Sequence, residues 1–594
     1  MPAPAISAIT WRDWGDKAFA SALSEGKPVL LSLTATWCHW CHVMDETSYS
    51  HPTVIELVNQ RFIPVRVDVD QRPDLSARYN QGGFPSLAFL DTDGRIIAGK
   101  VYTPPDEMIK LLEQVSTDYS EGKRLAPTYS TPSRSTTARK QGATQGPVLK
   151  RLEELYDTDF GGFGDEPKQP PFEGAWFLLS LYQKNGEPRL KQIICRTLGG
   201  IVDGLYDLCE GGFFRYSVSR DWKVPHYEKM LYTNARLAST FLQAFQVVGK
   251  SAYKNAAVGT IDYILNNLRD SSNAMFWASQ DAGEEYYRLP WKDRYTASKP
   301  SIDTTIYTGW NAAAASALLH AFGVLGQASY LDKALLVLDT LWAEFDRDRG
   351  LSHVVGEPAG RPRFLSDQVH ALTAFLHCYQ ITGNPDQLER AKGVMGSINR
   401  LFSASDGGFY DVMSEKDSEG PSLVGVRPVL ENALLAEAFV MLATITTDNA
   451  YLDVAKATLE AFTGVVPGSS YLGPQGLRKV EEDEERLFAP AASAWARAMD
   501  MAESGPVSLV VVGDTSLGAT NALVRASLKA TTPGRVIQIL DSVDQLDVVK
   551  RLGFPANEAP AVYLCIGNQC LAPIRSPREL SKWARPGALT SLAN

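Results

Sequence analysis

Two cysteines three residues apart, in Trp37-Cys38-His39-Trp40-Cys41, are the residues whose types and spacing most directly permit covalent chemistry. They follow the apolar run PVLLSLT at Pro28–Thr34 and open a helical segment, Cys38–Tyr49. A helix N-terminus presents free N–H groups and a partial positive charge, which favour a thiolate on the first cysteine. Cys38 is therefore the expected nucleophile, and Cys41, one helical turn later, is placed to attack a mixed disulfide formed on Cys38. His39 tunes thiolate acidity when protonated, and Trp37 flanks the pair. Pro85 in Gly82-Gly83-Phe84-Pro85-Ser86 precedes a strand, where a cis proline would face the sulfurs and leave a backbone edge for substrate. This reading requires an ionised, exposed sulfur on the first domain with a second in bridging range.

Other chemistries compete for the motif. Cys38-His39-Trp40-Cys41-His42 also fits the C-x-x-C-H pattern of haem attachment, which normally needs export. Zinc lacks a second C-x-x-C or H-x-x-H pair nearby, so no metal and no cofactor is expected. A further alternative is a degenerate fold in which the pair does nothing. Cys195, Cys209 and Cys378 sit in apolar helical contexts and read as inert thiols. Cys565 and Cys570 flank Ile566-Gly567-Asn568-Gln569 after a strand, as a second thiol pair or relay, or as inert packing.

A second set of candidates lies in the middle of the chain. Arg215, Trp222, His226, Glu228 and Lys229 crowd one short stretch. His226 and Glu228 suit an acid–base pair, with Arg215 or Lys229 stabilising an oxyanion or enediolate. Asp281, Trp310 with Asn311, Asp367 with His370 at i, i+3, and Glu431 with Asn432 complete the set. Trp222 and Trp310 would stack on a sugar ring. The alternative is that these polar residues cap helices and tie hairpins together. His320, in an Ala/Leu helix, reads as core.

The elements that position these groups fall into four segments. Residues 1–115 alternate α, β, α, β, α, β, β, α around a small mixed sheet. Residues 116–146, rich in Ser, Thr, Pro, Gly, Lys and Arg, read as a linker. Residues 147–503 are helical and repeat a turn: Asp159-Phe160-Gly161-Gly162-Phe163, Glu210-Gly211-Gly212-Phe213, Asp406-Gly407-Gly408-Phe409, with looser relatives at Ala274–Trp277, Asp348–Leu351 and Tyr471–Gly473. Six intervals of two helices each predict an (α/α)6 toroid, its turns relying on glycines at positive φ and its end plugged by the aromatics. Residues 504–594 read β, α, β, α, β, α, a three-layer or flavodoxin-like tail without the G-x-G-x-x-G of a nucleotide site.

Length and composition agree with a multidomain chain: 594 residues are roughly four domain equivalents. Hydrophobic residues make up 44% and charged residues 21%, which excludes disordered and disulfide-scaffold classes. Fifty-eight Lys and Arg against 68 Asp and Glu give −10, no footprint for nucleic acid. The start, MPAPAISAITWRDWGDKAF, has no basic-then-apolar leader, and no stretch reaches about 18 uninterrupted apolar residues, so no membrane partner is expected. Seven cysteines, an odd and sparse set, suit a reducing compartment, and the expected location is cytoplasmic.

The strings WCHWCHVMDETSY, VDVDQRPDL, GGFPSLAFLDTDG, GGFGDEPK, GGFFRYSVSRDWKVPHYEKMLYTNARLA and VYLCIGNQC, in that order, resemble the thioredoxin-domain family of spermatogenesis-associated protein 20 and its bacterial relatives. The resemblance covers almost the whole chain. It implies a thioredoxin-like first domain and a six-hairpin barrel of the kind seen in N-acylglucosamine 2-epimerase and related glycosidases, with no settled reaction. Relatives tend to carry Glu-Asp-Ala-Asp-Ser-Glu-Gly where this chain has Ser279-Gln280-Asp281-Ala282-Gly283-Glu284; the two missing acids count against a carboxylate- or metal-dependent activity there. The expected function is a thiol–disulfide oxidoreductase acting on a protein disulfide or small thiol, with the barrel as a platform. The alternatives are a carbohydrate-processing isomerase, epimerase or hydrolase in the barrel with a regulatory thioredoxin-like domain, and a non-catalytic scaffold.

Overall fold

The computed structural model describes residues 8–122, 145–358, 360–413, 426–462, 471–473, 476–478, 485–532, 534–556, 560–567 and 569–588. Its first domain runs α1 (Asp16–Glu25), β1 (Val29–Thr34), α2 (His39–Glu46), α3 (Pro52–Arg61), β2 (Ile63–Asp68), α4 (Pro73–Tyr79), β3 (Ser86–Leu90), β4 (Ile96–Lys100) and α5 (Pro105–Ser120). The sheet order is β2-β1-β3-β4, with β1 parallel to β2 and antiparallel to β3. Side chains alternate across a strand. Hence Val29, Leu31 and Leu33 join Ala88 and Leu90 in the core on one face, while Leu30 joins Leu87 and Phe89 on the other. This is the thioredoxin-like mixed sheet between helices. Helix α3 was not foreseen: Pro52 at its first turn, preceded by extended His51, starts a second helix where the chain otherwise reads as a connection. Helix α5 continues to Ser120, five residues into the expected linker, because Val115 and Asp118 are still buried on the domain. The rest of that linker, 123–144, lies outside the described residues.

The middle comprises α6 (Gln145–Leu155), α7 (Phe172–Asn185), α8 (Pro188–Leu205), β5 (Tyr216–Ser217), β6 (Pro225–His226), β7 (Lys229–Met230), α9 (Leu231–Val248), α10 (Ser251–Asn267), β8 (Ser279–Gln280), α11 (Glu284–Arg288), α12 (Trp291–Arg294), β9 (Ile302–Asp303), α13 (Thr308–Leu325), α14 (Ala328–Ala343), α15 (Leu365–Thr382), α16 (Pro385–Leu401), α17 (Val429–Thr446), α18 (Asn449–Glu460), β10 (Tyr471–Gly473), β11 (Gly476–Arg478) and α19 (Glu485–Ser504). Helices α7, α9, α13, α15, α17 and α19 each pack on the next, and α19 returns to α7, closing an inner ring. Helices α8, α10, α14, α16 and α18 form the outer layer on their partners, and α6 packs on α19, so the two ends of the segment form the sixth pair. This is an (α/α)6 toroid. Helix α17 has the length and composition to cross a membrane, but 67% of it is buried in the protein; an inner-ring helix contacts protein on every side and is apolar all round.

The recurrent turn is held the same way in successive hairpins. The fourth residue of an inner helix is an amide that pairs with the turn backbone. Asn234 accepts from Phe213 N (2.6 Å) and donates to Phe213 O (3.1 Å). Asn311 does so with Phe276 (2.8 and 3.0 Å), Gln368 with Leu351 (2.9 and 2.9 Å) and Asn432 with Phe409 (2.7 and 2.9 Å). Gly211, Gly212, Gly407 and Gly408 take positive φ in these turns.

The last domain runs β12 (Val507–Gly513), α20 (Gly518–Lys529), β13 (Val536–Asp541), α21 (Leu546–Arg551), β14 (Ala561–Ile566), β15 (Gln569–Cys570) and α22 (Pro577–Trp583). Its sheet order, β13-β12-β14-β15, repeats the first sheet strand for strand: β12 is parallel to β13 and antiparallel to β14, which pairs antiparallel with β15. The flavodoxin-like alternative, which needs an all-parallel sheet, is thereby corrected. The correspondence reaches single residues. Leu33 pairs with Ser86 just after Pro85, as Val512 pairs with Ala561 just after Pro560. Thr36 donates to Asp68, as Thr515 donates to Asp541. The place of the Cys-X-X-Cys is taken by Leu517-Gly518-Ala519-Thr520, with Leu517 the N-cap of α20 as Cys38 is of α2.

Candidate redox site at the barrel mouth

Cys38 is the N-cap of α2, and the Cys41 amide donates to Cys38 Sγ at 3.2 Å. The sulfurs are joined as a disulfide, with Cα atoms 5.2 Å apart. The Phe84–Pro85 peptide is cis, as the sequence led one to expect. Reduction would place two thiols at the start of a helix, where the orphan amides favour the anion of the first.

The expected exposure is not found. Cys38 and Cys41 are 4% and 2% exposed, because the barrel mouth covers them: Met230 and Trp310 pack into the same cluster as Trp37, Cys38 and Cys41. The guanidinium of Arg215 lies 3.8 Å from the centroid of the Trp37 indole. Trp37 Nε1 donates to Asp70 at 2.5 Å. Burial, and then the neighbouring Asp68 carboxylate, raise the Asp70 carboxyl to about 7. His39, Trp40 and His42, on the outer side of the same turn, remain exposed.

Among the described residues, polar contacts of Arg78 and His353 pin the first domain to the mouth. Arg78 reaches Asp411 (2.9 and 3.3 Å). His353 donates from Nδ1 to Asp367 (2.7 Å) and from Nε2 to the Asp70 carbonyl (2.6 Å). Burial alone would lower the His353 pKa, but the Asp367 carboxylate overrides it and raises the group to about 9, so the imidazolium bridges barrel and first domain.

The barrel candidates separate by position. His226, stacked on Tyr216, donates from Nδ1 to Glu228 at 2.8 Å, and Glu228 is fully buried. Burial raises the Asp281 carboxyl, while the nearby His42 favours its anion. Arg215 and Trp310 thus lie on the covered side of the motif, while Asp281 stands within electrostatic reach of His42 and Glu228. Glu431 is held by burial above the usual carboxylate range, with Asp411 adding to the effect. Asp367 is spent on His353 and on the Gly309 amide (2.8 Å), and His370, three residues on, makes no bond to it. His320, expected in the core, is half-buried and lines the barrel cavity, with its Nε2 2.9 Å from Gln246 Oε1.

Four candidates are structural. Asn311 and Asn432 hold turns, as above. Lys229 Nζ donates to Asp207 (2.6 Å) and to Gly211 O (2.9 Å), as Lys168 does to Asp157 (2.8 Å) and Gly161 O (2.9 Å) one hairpin earlier. Trp222 is 1% exposed, with Nε1 bonded to Phe160 O (3.1 Å) beneath Gly200 and Gly204, away from any sugar-accessible surface. Sequence reasoning missed Asp70, Arg78 and His353, whose partners are hundreds of residues away. The available signal was the string VDVDQRPDL, which carries Asp68 and Asp70. At the C-terminal pair, Cys565 and Cys570 face one another across β14 and β15 and are disulfide-bonded, Cys565 buried and Cys570 exposed. Cys378 is buried and its thiol pushed up to about 12, an inert group; Cys195 and Cys209 are only partly buried.

The geometry defines a thioredoxin-like domain seated on an (α/α)6 toroid. Residues 3–130 match the family model Thioredox_DsbH, described as a protein of unknown function, DUF255. Over 98% of its length the chain is 23% identical to spermatogenesis-associated protein 20 of Homo sapiens, spanning 90% of that protein. With the Rattus norvegicus protein of that name the identity is 31% over 46% of this chain, spanning 39% of the relative. Eighty residues, 13% of this chain and 14% of the relative, are 35% identical to the thiol:disulfide interchange protein DsbD of Pseudomonas fluorescens. Among solved structures, cellobiose 2-epimerase from Bacillus thermoamylovorans covers 60% of this chain and 98% of its own, at 11% identity and a TM-score of 0.49. These comparisons show the likeness first read from the WCHWCHVMDETSY and VPHYEKMLYTNA strings.

Proposed function

We propose that the chain is a cytoplasmic thiol–disulfide oxidoreductase whose reacting groups are Cys38 and Cys41. The observation that carries this reading is the placement of Cys38 Sγ at the N-cap of α2, within 3.2 Å of the Cys41 amide, with Cys41 in bonding range. The Cys38 thiolate attacks one sulfur of a substrate disulfide, and that S–S bond breaks. The first substrate thiolate leaves and takes up a proton. Cys41, deprotonated, then attacks Cys38 Sγ, releases the second substrate thiol and closes the Cys38–Cys41 disulfide. Two electrons pass to the substrate; the reverse sequence oxidises a dithiol. Asp70, beside Trp37 and raised to about 7, is the carboxyl suited to hold the displaced proton near neutral pH.

The partner is a protein disulfide or a small thiol; because Cys38 and Cys41 are covered, it reaches them when the barrel-mouth contacts of Met230, Trp310 and His353 give way, and the barrel serves as the platform. The likeness to DsbD, a thiol:disulfide interchange protein, supports this reading. A carbohydrate activity in the barrel is supported by the His226–Glu228 pair. The test is turnover of insulin or glutathione disulfide by the full chain. Cys38→Ser should abolish it and Cys41→Ser should accumulate a mixed disulfide detectable by mass; absence of turnover by the unsubstituted protein with every reductant tried would remove the proposal.

A further inference from the structure

The inner helices do not fill the barrel axis. A cavity of about 240 Å³ remains between them, and the C-terminal domain closes one end of it with Leu528, Thr531, Thr532 and Arg535. That domain is tied down around the rim: Gln183 donates to Thr531 Oγ1 (2.8 Å), and the Ile537 amide donates to Gln380 (3.0 Å).

Charge inside the cavity does not balance. Glu173 accepts from Arg236 and, at 2.8 Å, from Arg497, and Glu437 accepts from Arg497 at 2.5 Å, so two cations and two anions cancel. Arg535 is left over. Its Nη1 donates to the carbonyls of Ser527 (3.3 Å), Leu528 (2.8 Å) and Ala530 at the end of α20. Among the described residues no carboxylate pairs with it, and burial alone lowers its pKa to about 10. Arg535 is half-buried, and a partly desolvated cation without a counter-charge favours an anion beside it.

The walls around it are built of hydrogen-bonding groups. His370, Thr373 and His377 lie along one face of α15, and Ser316, Ser239 and Ser180 come from α13, α9 and α7. Among the described residues, neither His370 nor His377 has a hydrogen-bond partner on its ring. Burial, with Arg236 adding to it, lowers His370 to about 4; burial, then Arg535 and Arg236, do the same to His377. Neutral imidazoles each offer one donor and one acceptor, the pattern that hydroxyl groups satisfy.

We propose that this axial chamber is a binding site for a small hydroxylated anion, a carboxylate or phosphate ester whose charge sits on Arg535 and whose hydroxyls meet His370, His377 and the serine and threonine side chains. The site is separate from the Cys38–Cys41 pair, and either proposal stands without the other.

Gluconate and glucose 6-phosphate serve as probes on the full chain, with glucose as the neutral control and inorganic phosphate as the bare anion, read by calorimetric titration and thermal melting. At least one anionic polyol is expected to bind and raise the melting temperature, glucose to bind at least tenfold more weakly, and Arg535→Gln to weaken the anion at least tenfold. Because Arg535 also caps α20, Ser316→Leu, which fills the chamber and leaves Arg535 in place, provides the second variant and should likewise abolish binding. Equal affinity for glucose and the anions, no binding by any probe, or unchanged anion affinity in Ser316→Leu would each overturn the proposal. Preferential binding of inorganic phosphate alone would overturn the hydroxylated class.

Discussion

The imidazole of His353 donates to the backbone carbonyl of Asp70 at 2.6 Å while its other nitrogen donates to Asp367, so one ring joins the loop behind the Cys-X-X-Cys to the first turn of an inner barrel helix. Both acceptors lack a proton to give, which requires the doubly protonated ring and agrees with its elevation to about 9. The redox motif is therefore covered by a charged clasp as well as by the apolar Met230 and Trp310.

That clasp should loosen at high pH. His353 gains its proton more readily folded than unfolded, so its contribution, on the order of 3 kcal/mol, is complete below about pH 6.5 and is lost as pH rises through about 9. Alkylation of the reduced Cys38 should accelerate between pH 8 and 10 beyond what thiol ionisation explains. In His353→Gln the extra acceleration should be gone and the rate already high at pH 8.

Asp70 should also lower stability as pH rises, over a lower window and as a cost rather than a lost contribution. Its folded pKa, about 7, lies above the unfolded value near 4, so its burial is tolerated below pH 4 and costs stability progressively as pH rises from 4 to 7, on the order of 4 kcal/mol in full. Asp70→Asn keeps an oxygen for Trp37 Nε1 and removes the ionisation. Urea titrations should find the variant more stable than the parent at pH 8 and close to it at pH 4.

Arg215 over Trp37 is a cation–π contact of about 0.5–2 kcal/mol. Arg215→Ala should leave the fold intact, shift indole emission to the red, and raise the alkylation rate of Cys38. Unchanged emission and reactivity would show that the guanidinium does not shield the motif.

The amide clasps should matter to stability and not to thiol chemistry. Asn432→Ala strips both partners from the buried Phe409 backbone, a loss of about 2–4 kcal/mol. Asn311→Ala should behave alike at Phe276. Per folded molecule, disulfide turnover should match the parent in both.

Local spacing made much of the architecture legible. The strand-then-helix setting of Cys38 and Cys41, the proline before β3 and the six recurrent turns are short-range patterns, and each leaves a periodicity or a glycine where the backbone needs one. The equal standing given to Lys229, His226, Asn311 and Asp281 as pocket residues shows the limit of such reading. A buried amide that holds a turn and a carboxylate that stands near the His42 of another domain look the same in one dimension. They differ only in what stands opposite.

The sequence by itself determined the Cys-X-X-Cys at a helix start, the sheet that carries it, the toroid and the chain order of the parts, because these follow from side-chain period and local backbone preference. Tertiary structure alone decided that Cys38 is covered rather than exposed, that Asp70, Arg215 and His353 meet around it, that Arg535 closes the far mouth without a counter-charge, and that the last sheet repeats the first. Each of these depends on surfaces hundreds of residues apart coming into contact. Packing of the whole chain sets that contact, and no local run of residues encodes it.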